Sequence, residues 1–351
     1  MRDAFGRVEA AAWLQVQKAG VQSLCDHRLV RGKVYAIDGS GLGDGLRLVC
    51  LVCVSGERPL VVAWRLLTGS ASEKGKEASG TRELIEQAMA AGGPEWIDLL
   101  WVDAWYADGP LIAWLAYAKG IDILVPLPGD RQMSADALGI ARGGMVTGKR
   151  QSDTRTISGH KQRRTVETTA VGSLSSWDSF VEAAAGYGVS DASLWVYWIR
   201  EIAPTEQPLA AAMALVSTRR FAAGFAALQA FRPRWHIEND NSREWKEGFG
   251  LEKQPWGREV AAALCRTTRT RLAFNTAQVY RSRSGRRLAP TGIRRLRREV
   301  DRQVGRAPAV VFLEDCSAVL SREELLVAVG AGVRQGLLPD LEGKTVSAHP
   351  P

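Results

Sequence analysis

The chain has 351 residues, with 46 Lys and Arg against 38 Asp and Glu, giving a formal net charge of +8 and a pI near 9.4. A hydrophobic share of 46% supports a sizeable core and excludes a disordered or fibrous chain. No run is long and apolar enough to span a membrane, and the first residues, Met1-Arg-Asp-Ala-Phe-Gly6, lack the apolar region of a signal peptide. The positive balance favours a polyanionic partner.

Five cysteines form an odd, sparse set. Cys50 and Cys53 lie in the apolar run Leu48–Val54. On a strand, positions three apart face opposite sides, so the two sulfurs do not converge. No second C-x-x-C follows to complete a zinc site. Buried thiols and a reducing, cytoplasmic setting are expected. Twelve tryptophans should serve mostly as core anchors, with one or two free to stack on bases.

Residues 1–33 read as a short helical segment, with Ala10, Ala11, Trp13, Leu14, Val16 and Leu24 on its apolar side. Val34–Ser40 is an apolar strand ending on Asp38. Arg47–Ser55 and Leu60–Leu67 are two further strands, and short turns between the three predict an antiparallel meander. Gly39, Gly41, Gly43 and Gly45 lead into another strand rather than a helix, which argues for a hairpin and against a dinucleotide loop. Thr68–Gly80 reads as a loop and Thr81–Ala91 as a helix. Trp96–Asp103 is a continuous apolar run that again ends on Asp. Asp108-Gly-Pro110 caps a helix, Leu111–Ala118, with Gly120 closing it. Ile121–Leu127 is another buried strand.

From 129 the composition shifts. Gly and Ser rise, and Arg142, Lys149, Arg150, Arg155, Lys161, Arg163 and Arg164 make a basic stretch. Alternation over Thr165–Val171 and Leu194–Ile202 predicts strands, so residues 129–210 read as a β-rich insertion. Met213–Ser217 returns to a core strand, and Ala222–Phe231 is a helix. A second helix follows Pro233 and stops at Gly248. Arg258–Tyr280 is alanine-rich, basic and helical. Residues 281–351 are arginine-rich, with Arg294, Arg295, Arg297 and Arg298 close together. Val310–Leu313 reads as a strand and Arg322–Gln335 as a helix. The expected division is 1–33, a first core part 34–128, the insertion 129–210, a second core part 211–280, and the C-terminal segment 281–351.

Three acidic residues stand out. Asp38 and Asp103 each end an apolar strand, and Glu238 sits on a helix among Arg232, Arg234, His236, Arg243 and Lys246. If the first and fourth strands are neighbours, the two aspartates lie side by side, and a helix crossing that rim brings Glu238 opposite. Three carboxylates suit two Mg²⁺ ions and leave positions for water and phosphate. Such a pair activates an attacking oxygen and stabilises a leaving one in phosphoryl transfer. The structural alternative for each aspartate is a turn or cap residue. Asp98, inside its apolar run, and Asp44, in the hairpin turn, are the nearby decoys.

Three segments carry a family likeness: Ala36-Ile-Asp38-Gly-Ser, then Val102-Asp103-Ala-Trp-Tyr-Ala-Asp-Gly with Lys119–Pro126, and Leu215-Val-Ser-Thr running on to Arg234-Trp-His-Ile-Glu238. The chain resembles the DDE transposases of bacterial insertion sequences, in particular the cut-and-paste group with a Tyr-Arg-Glu-Lys signature. The resemblance spans roughly residues 34–275. It implies an α/β, RNase H-like (retroviral-integrase-like) mixed sheet flanked by helices, with a β-rich insertion before the catalytic glutamate helix. It also implies that Asp38, Asp103 and Glu238 are catalytic and bind Mg²⁺ or Mn²⁺ in a two-metal site. Arg234 matches the arginine that contacts DNA phosphate. The partners implied are double-stranded DNA, both transposon ends and target, and a second copy of the chain on that DNA. A cytoplasmic, nucleoid-associated location follows.

Two positions depart from the signature. Phe231 stands where the tyrosine is expected and lacks its hydroxyl. Lys246 lies eight residues after Glu238 instead of seven, which on a regular helix rotates it by roughly 80°. A one-residue π-bulge would restore it; otherwise Lys246 is a surface lysine. Only 37 residues precede Asp38, where the family often carries a DNA-binding domain. Recognition of element ends is then expected to be reduced, or moved to the insertion and the arginines at 294, 295, 297 and 298. Trp195 and Trp198 are placed to pack in the core or to stack on a flipped base.

The leading expectation is a metal-dependent transposase that cuts a strand at the element end and joins the freed 3′ hydroxyl to target DNA. The alternative is a catalytically inactive, transposase-derived DNA-binding protein. A glycoside hydrolase using Asp38 and Asp103 as paired carboxylates leaves the arginine content unexplained.

Overall fold

A computed structural model describes residues 10–30, 32–43, 46–56, 58–68, 74–129, 131–157, 160–202, 213–232, 234, 260–283, 309–312, 317–320 and 345–346. Residues 1–283 and 284–351 form two compact units.

The first unit opens with helix α1 (Ala10–Asp26), then strands β1 (Val34–Gly43), β2 (Leu46–Cys53) and β3 (Leu60–Thr68). Helix α2 (Lys74–Gly92) leads to β4 (Leu99–Trp101), a 3₁₀ turn (Ala104–Tyr106) and α3 (Gly109–Ala113), which continues as a π turn, Trp114–Ala118. Then follow β5 (Asp122–Pro126), α4 (Gln132–Arg142), β6 (Lys149–Ile157), β7 (His160–Leu174), α5 (Asp178–Ala185), β8 (Leu194–Ile202), β9 (Met213–Ser217), α6 (Gly224–Phe231) and α7 (Val260–Arg283).

Among the described residues nine strands form one sheet, in the order β3-β2-β1-β4-β5-β9-β8-β7-β6. The meander β1–β2–β3 is antiparallel, β4 and β5 run parallel to β1, and β9 returns antiparallel to β5. With helices on both faces this is the mixed α/β sheet that the sequence leads one to expect. The strands at 149–202 extend the same sheet beyond β9.

Each strand divides its side chains between the faces. Tyr35, Ile37, Val49, Leu51 and Cys53 pack with α2 and α3 on one face. Ala36, Leu99, Trp101, Leu124 and Leu215 pack with Ala227, Leu228 and Phe231 of α6 on the other. Leu48, Cys50, Val52 and Trp64 meet Ala263 and Phe274 of α7 on that second face. Cys50 and Cys53 therefore belong to opposite faces, as strand alternation requires. Asn275 of α7 anchors the edge strand β3: its amide nitrogen donates to the Val61 carbonyl at 2.7 Å, and its oxygen accepts from the Val61 N–H at 2.9 Å.

Several expectations need correction. Asp38 does not end β1, which runs on to Gly43 because its pairing with β2 continues through Gly41–Arg47. The stretch expected as a loop before Gly80 contains the first two turns of α2. Val16 is exposed, while Gln17 turns inward and donates to the Trp64 carbonyl. Helices α4 and α5 and strand β6 stand where glycine-rich, basic sequence hid the periodicity. The expected helices at 234–248 and 322–335 lie outside the described residues, apart from Arg234.

In the second unit, β10 (Ala309–Phe312), β11 (Ser317–Leu320) and β12 (Thr345–Val346) form an antiparallel sheet in that order.

Candidate active site

The parallel pairing of β1 with β4 sets Ala36 opposite Trp101. Two residues further along each chain come Asp38 and Asp103. Asp38 lies within β1 and Asp103 just past the end of β4, and strand alternation puts Asp38 on the face of Ala36. That face also carries α6 and α7. Asp103 lies just past β4 and caps the 3₁₀ turn, one carboxylate oxygen accepting from the Ala104 N–H at 2.6 Å. The cap fixes that carboxylate and leaves lone pairs on it for a cation.

The turn is tied back to β1. Gly39, beside Asp38, has no side chain, and a Cβ there would lie 2.8 Å from the Tyr106 hydroxyl and 3.2 Å from Nε of Arg47. Tyr106 is buried in the turn that Asp103 caps. Trp105 between them is 41% exposed. On the other face, Arg271 of α7 is fully buried. Burial draws its guanidinium down to about 10, against the opposing pull of Cys50 and Asp38. Burial likewise pushes the Cys50 thiol up to about 11, with Arg271 opposing and Asp38 adding to the rise. Cys50 pairs directly with Asp38 across the ladder, so a cation, a thiol and a carboxylate share one patch of this face. Arg271, buried and within electrostatic reach of Asp38, was not singled out in the sequence. Only its helical spacing from Phe274 and Gln278, both inward-facing, hinted at it.

Asp98 is excluded as a ligand by position. It lies before β4, at the far end of the sheet, and accepts from Arg219 at 2.8 Å. Asp44 lies outside the described residues, as do Glu238, Arg243, Lys246, Arg294, Arg295, Arg297 and Arg298. Among the described residues, no three Asp, Glu, His or Cys side chains cluster as a metal site.

Phe231 ends α6 in the core, and the guanidinium of Arg234 lies 5.0 Å from its ring centroid. Arg234 is 9% exposed. Trp198 packs against the core from β8. Trp195, on the opposite face, stacks on Tyr197 with Arg220 over its ring at 5.0 Å.

No helix among the described residues is long and apolar enough to cross a membrane. No curated protein matches the chain. The profile of the transposase DDE domain matches residues 44–271, well over half of the chain. The match takes in Asp103 and Glu238 and begins just after Asp38. With the β3-β2-β1-β4-β5 mixed sheet, it settles the kinship: the chain belongs to the family of DDE transposases.

Proposed function

We propose that the chain cuts DNA strands at transposon ends and joins them to target DNA, with Asp38, Asp103 and Glu238 as its metal-binding carboxylates. The observation that supports this reading is the parallel pairing of β1 with β4 up to Ala36 and Trp101, two residues before Asp38 and Asp103, with α6 packed on the face of Ala36 and ending seven residues before Glu238. Residues 232–259 join α6 to α7, and both helices pack on the face of Ala36 and Cys50.

The donors fit a hard divalent cation: carboxylate oxygens, one of them oriented by a backbone cap. Bound Mg²⁺ or Mn²⁺ would supply Lewis-acid activation and charge stabilisation in phosphoryl transfer. The chain's own part is to hold the carboxylates and to balance their charge. Asp103 is fixed by its turn, and Tyr106 holds that turn against β1 at Gly39. Arg271 offsets the negative charge of Asp38 from within the core. Arg234 stacks on Phe231 and stiffens the entry to the Glu238 segment. Arg243, Lys246, Arg294, Arg295, Arg297 and Arg298 supply phosphate contacts, and two copies of the chain act on paired element ends.

The test is nicking of supercoiled plasmid DNA in Mg²⁺ or Mn²⁺ by the full chain and by Asp38→Ala, Asp103→Ala and Glu238→Ala. Loss of nicking in all three, with DNA binding kept, is expected. Undiminished nicking by any of them removes that residue from the set. The buried Phe231, which lacks the signature hydroxyl, favours a second reading, a DNA-binding protein without catalysis; salt-sensitive DNA binding by a wild-type chain that never nicks would establish it.

A further inference from the structure

We infer that Asp153 is a positioning residue, clamping the start of the Glu238 segment onto the inserted strands. The inference rests on the reading of Glu238 as a metal ligand.

Asp153 lies on β6, its side chain 2% exposed. Oxygen Oδ2 accepts from Nε of Arg164 on β7 at 2.8 Å and also from Nη2 of Arg232, the residue that follows α6. Oxygen Oδ1 accepts from the Thr154 N–H at 2.8 Å. Arg164 reaches on to Glu201 of β8 at 2.8 Å. One buried carboxylate thus joins three inserted strands to the end of α6. A buried charge is tolerated only when so paired. Burial alone would raise the Asp153 carboxyl, yet the two guanidiniums hold it below its ordinary value.

The position of the clamp gives it a role beyond stability. Arg232 is six residues before Glu238, and its neighbours are held too: Phe231 in the core, and Arg234 over Phe231. At the other end of α6, Gly224 lies so close to β7 that a Cβ would sit 2.8 Å from the Thr168 Cβ. Helix α6 is therefore fixed to the inserted strands at both ends. Asp38 is held in β1 and Asp103 in the turn after β4, and the clamp fixes the residue that leads from α6 toward Glu238. Arg219 provides a comparison. It pairs with Asp98 at 2.8 Å and Asp122 at 2.7 Å at the opposite end of the sheet, far from the carboxylates.

The experiment titrates Mn²⁺ alone into the full chain and follows free ion by electron paramagnetic resonance. Thermal midpoints are recorded in parallel. Asp153→Asn and Arg232→Met should weaken Mn²⁺ binding by on the order of tenfold, the lower end of what outer groups do to metal affinity. Arg232→Lys, which keeps the charge but not the fork, should fall between them and wild type, and carries the test if Asp153→Asn does not fold. Arg219→Gln should lower the thermal midpoint and leave Mn²⁺ affinity within about twofold of wild type, an effect too small to resolve as a lost contact. The inference is overturned if Glu238→Gln loses the ion while the Asp153 and Arg232 variants bind like wild type. It is equally overturned if Arg219→Gln weakens binding as much as they do. If Glu238→Gln binds Mn²⁺ unchanged, the reading of Glu238 falls first and the clamp's role with it.

Discussion

Replacing Gly39 with alanine should disturb the candidate site through a single methyl group. The new Cβ would lie 2.8 Å from the Tyr106 hydroxyl, and 3.2 and 3.3 Å from two guanidinium nitrogens of Arg47. Arg47 can swing its flexible end aside. Tyr106 is 4% exposed and sits in the turn capped by Asp103. To reach an ordinary contact of 3.4 Å its hydroxyl must retreat by about 0.6 Å. Either the ring tilts against the core or the turn shifts, and a shifted turn moves Asp103 relative to Asp38. Overpacking of this kind costs about 1–3 kcal/mol, while alanine in place of glycine within a strand offsets about 0.5–1 kcal/mol. A net loss of about 1–2 kcal/mol lowers the melting midpoint by on the order of 5 °C. Plasmid nicking should fall further, by on the order of tenfold, because small misplacements of reacting groups are costly. Gly41→Ala is the control on the same strand: nothing lies within 4 Å of its Cβ, so it should be neutral or slightly stabilising. A Gly39→Ala protein that melts with Gly41→Ala and nicks at the wild-type rate would refute the reasoning.

Asn275→Ala strips both hydrogen bonds from the buried Val61 backbone, and chemical denaturation should show a loss of about 2–4 kcal/mol from two orphaned groups. Asp153→Asn should cost about 3–5 kcal/mol at neutral pH, since it removes the buried carboxylate shared by Arg232 and Arg164, the latter keeping its pair with Glu201. That difference has a definite sign with pH. A carboxyl held below its ordinary value contributes stability fully above about pH 4 and loses it as pH falls through its own lower value. Urea melts from pH 6 to pH 2 should therefore converge at the acid end; a constant gap would contradict the pairing. Cys50, with its thiol pushed up to about 11 and fully buried, should resist a thiol reagent at pH 8 until the protein unfolds. Mass mapping of labelled peptides checks this.

The meander, the buried strands at 99–101 and 122–126, and the helix cap at Asp108 were legible because apolar runs and turn residues alternate cleanly there. Asp108 accepts from Leu111 N–H at 2.9 Å, as its place before Gly-Pro implies. Strand ends were less legible. β1 carries three glycines and a serine past Asp38, a pattern that reads as a turn, yet pairing with β2 carries it on as strand. The elements between 129 and 202 were hidden by composition: β6, Lys149–Ile157, is almost wholly polar, and partners across the ladder hold it where propensity does not. The two aspartates stood out by motif position, but the buried charges packed around α6 and α7 did not. Arg271 and Asp153 matter through contacts made across long stretches of chain, and neither sits in a local pattern that marks it. Val16 and Gln17 show the same limit at smaller scale, since only the packed helix reveals which of two adjacent residues turns inward.

Iron-mediated cleavage of the polypeptide itself is the most direct measurement. Fe²⁺ loaded in place of Mg²⁺, with ascorbate and peroxide, generates radicals that cut backbone only near the bound ion. Fragments ending close to residues 38, 103 and 238, suppressed by excess Mg²⁺, are expected. Cuts that leave the neighbourhood of Glu238 intact, or that cluster elsewhere, would contradict a shared carboxylate site.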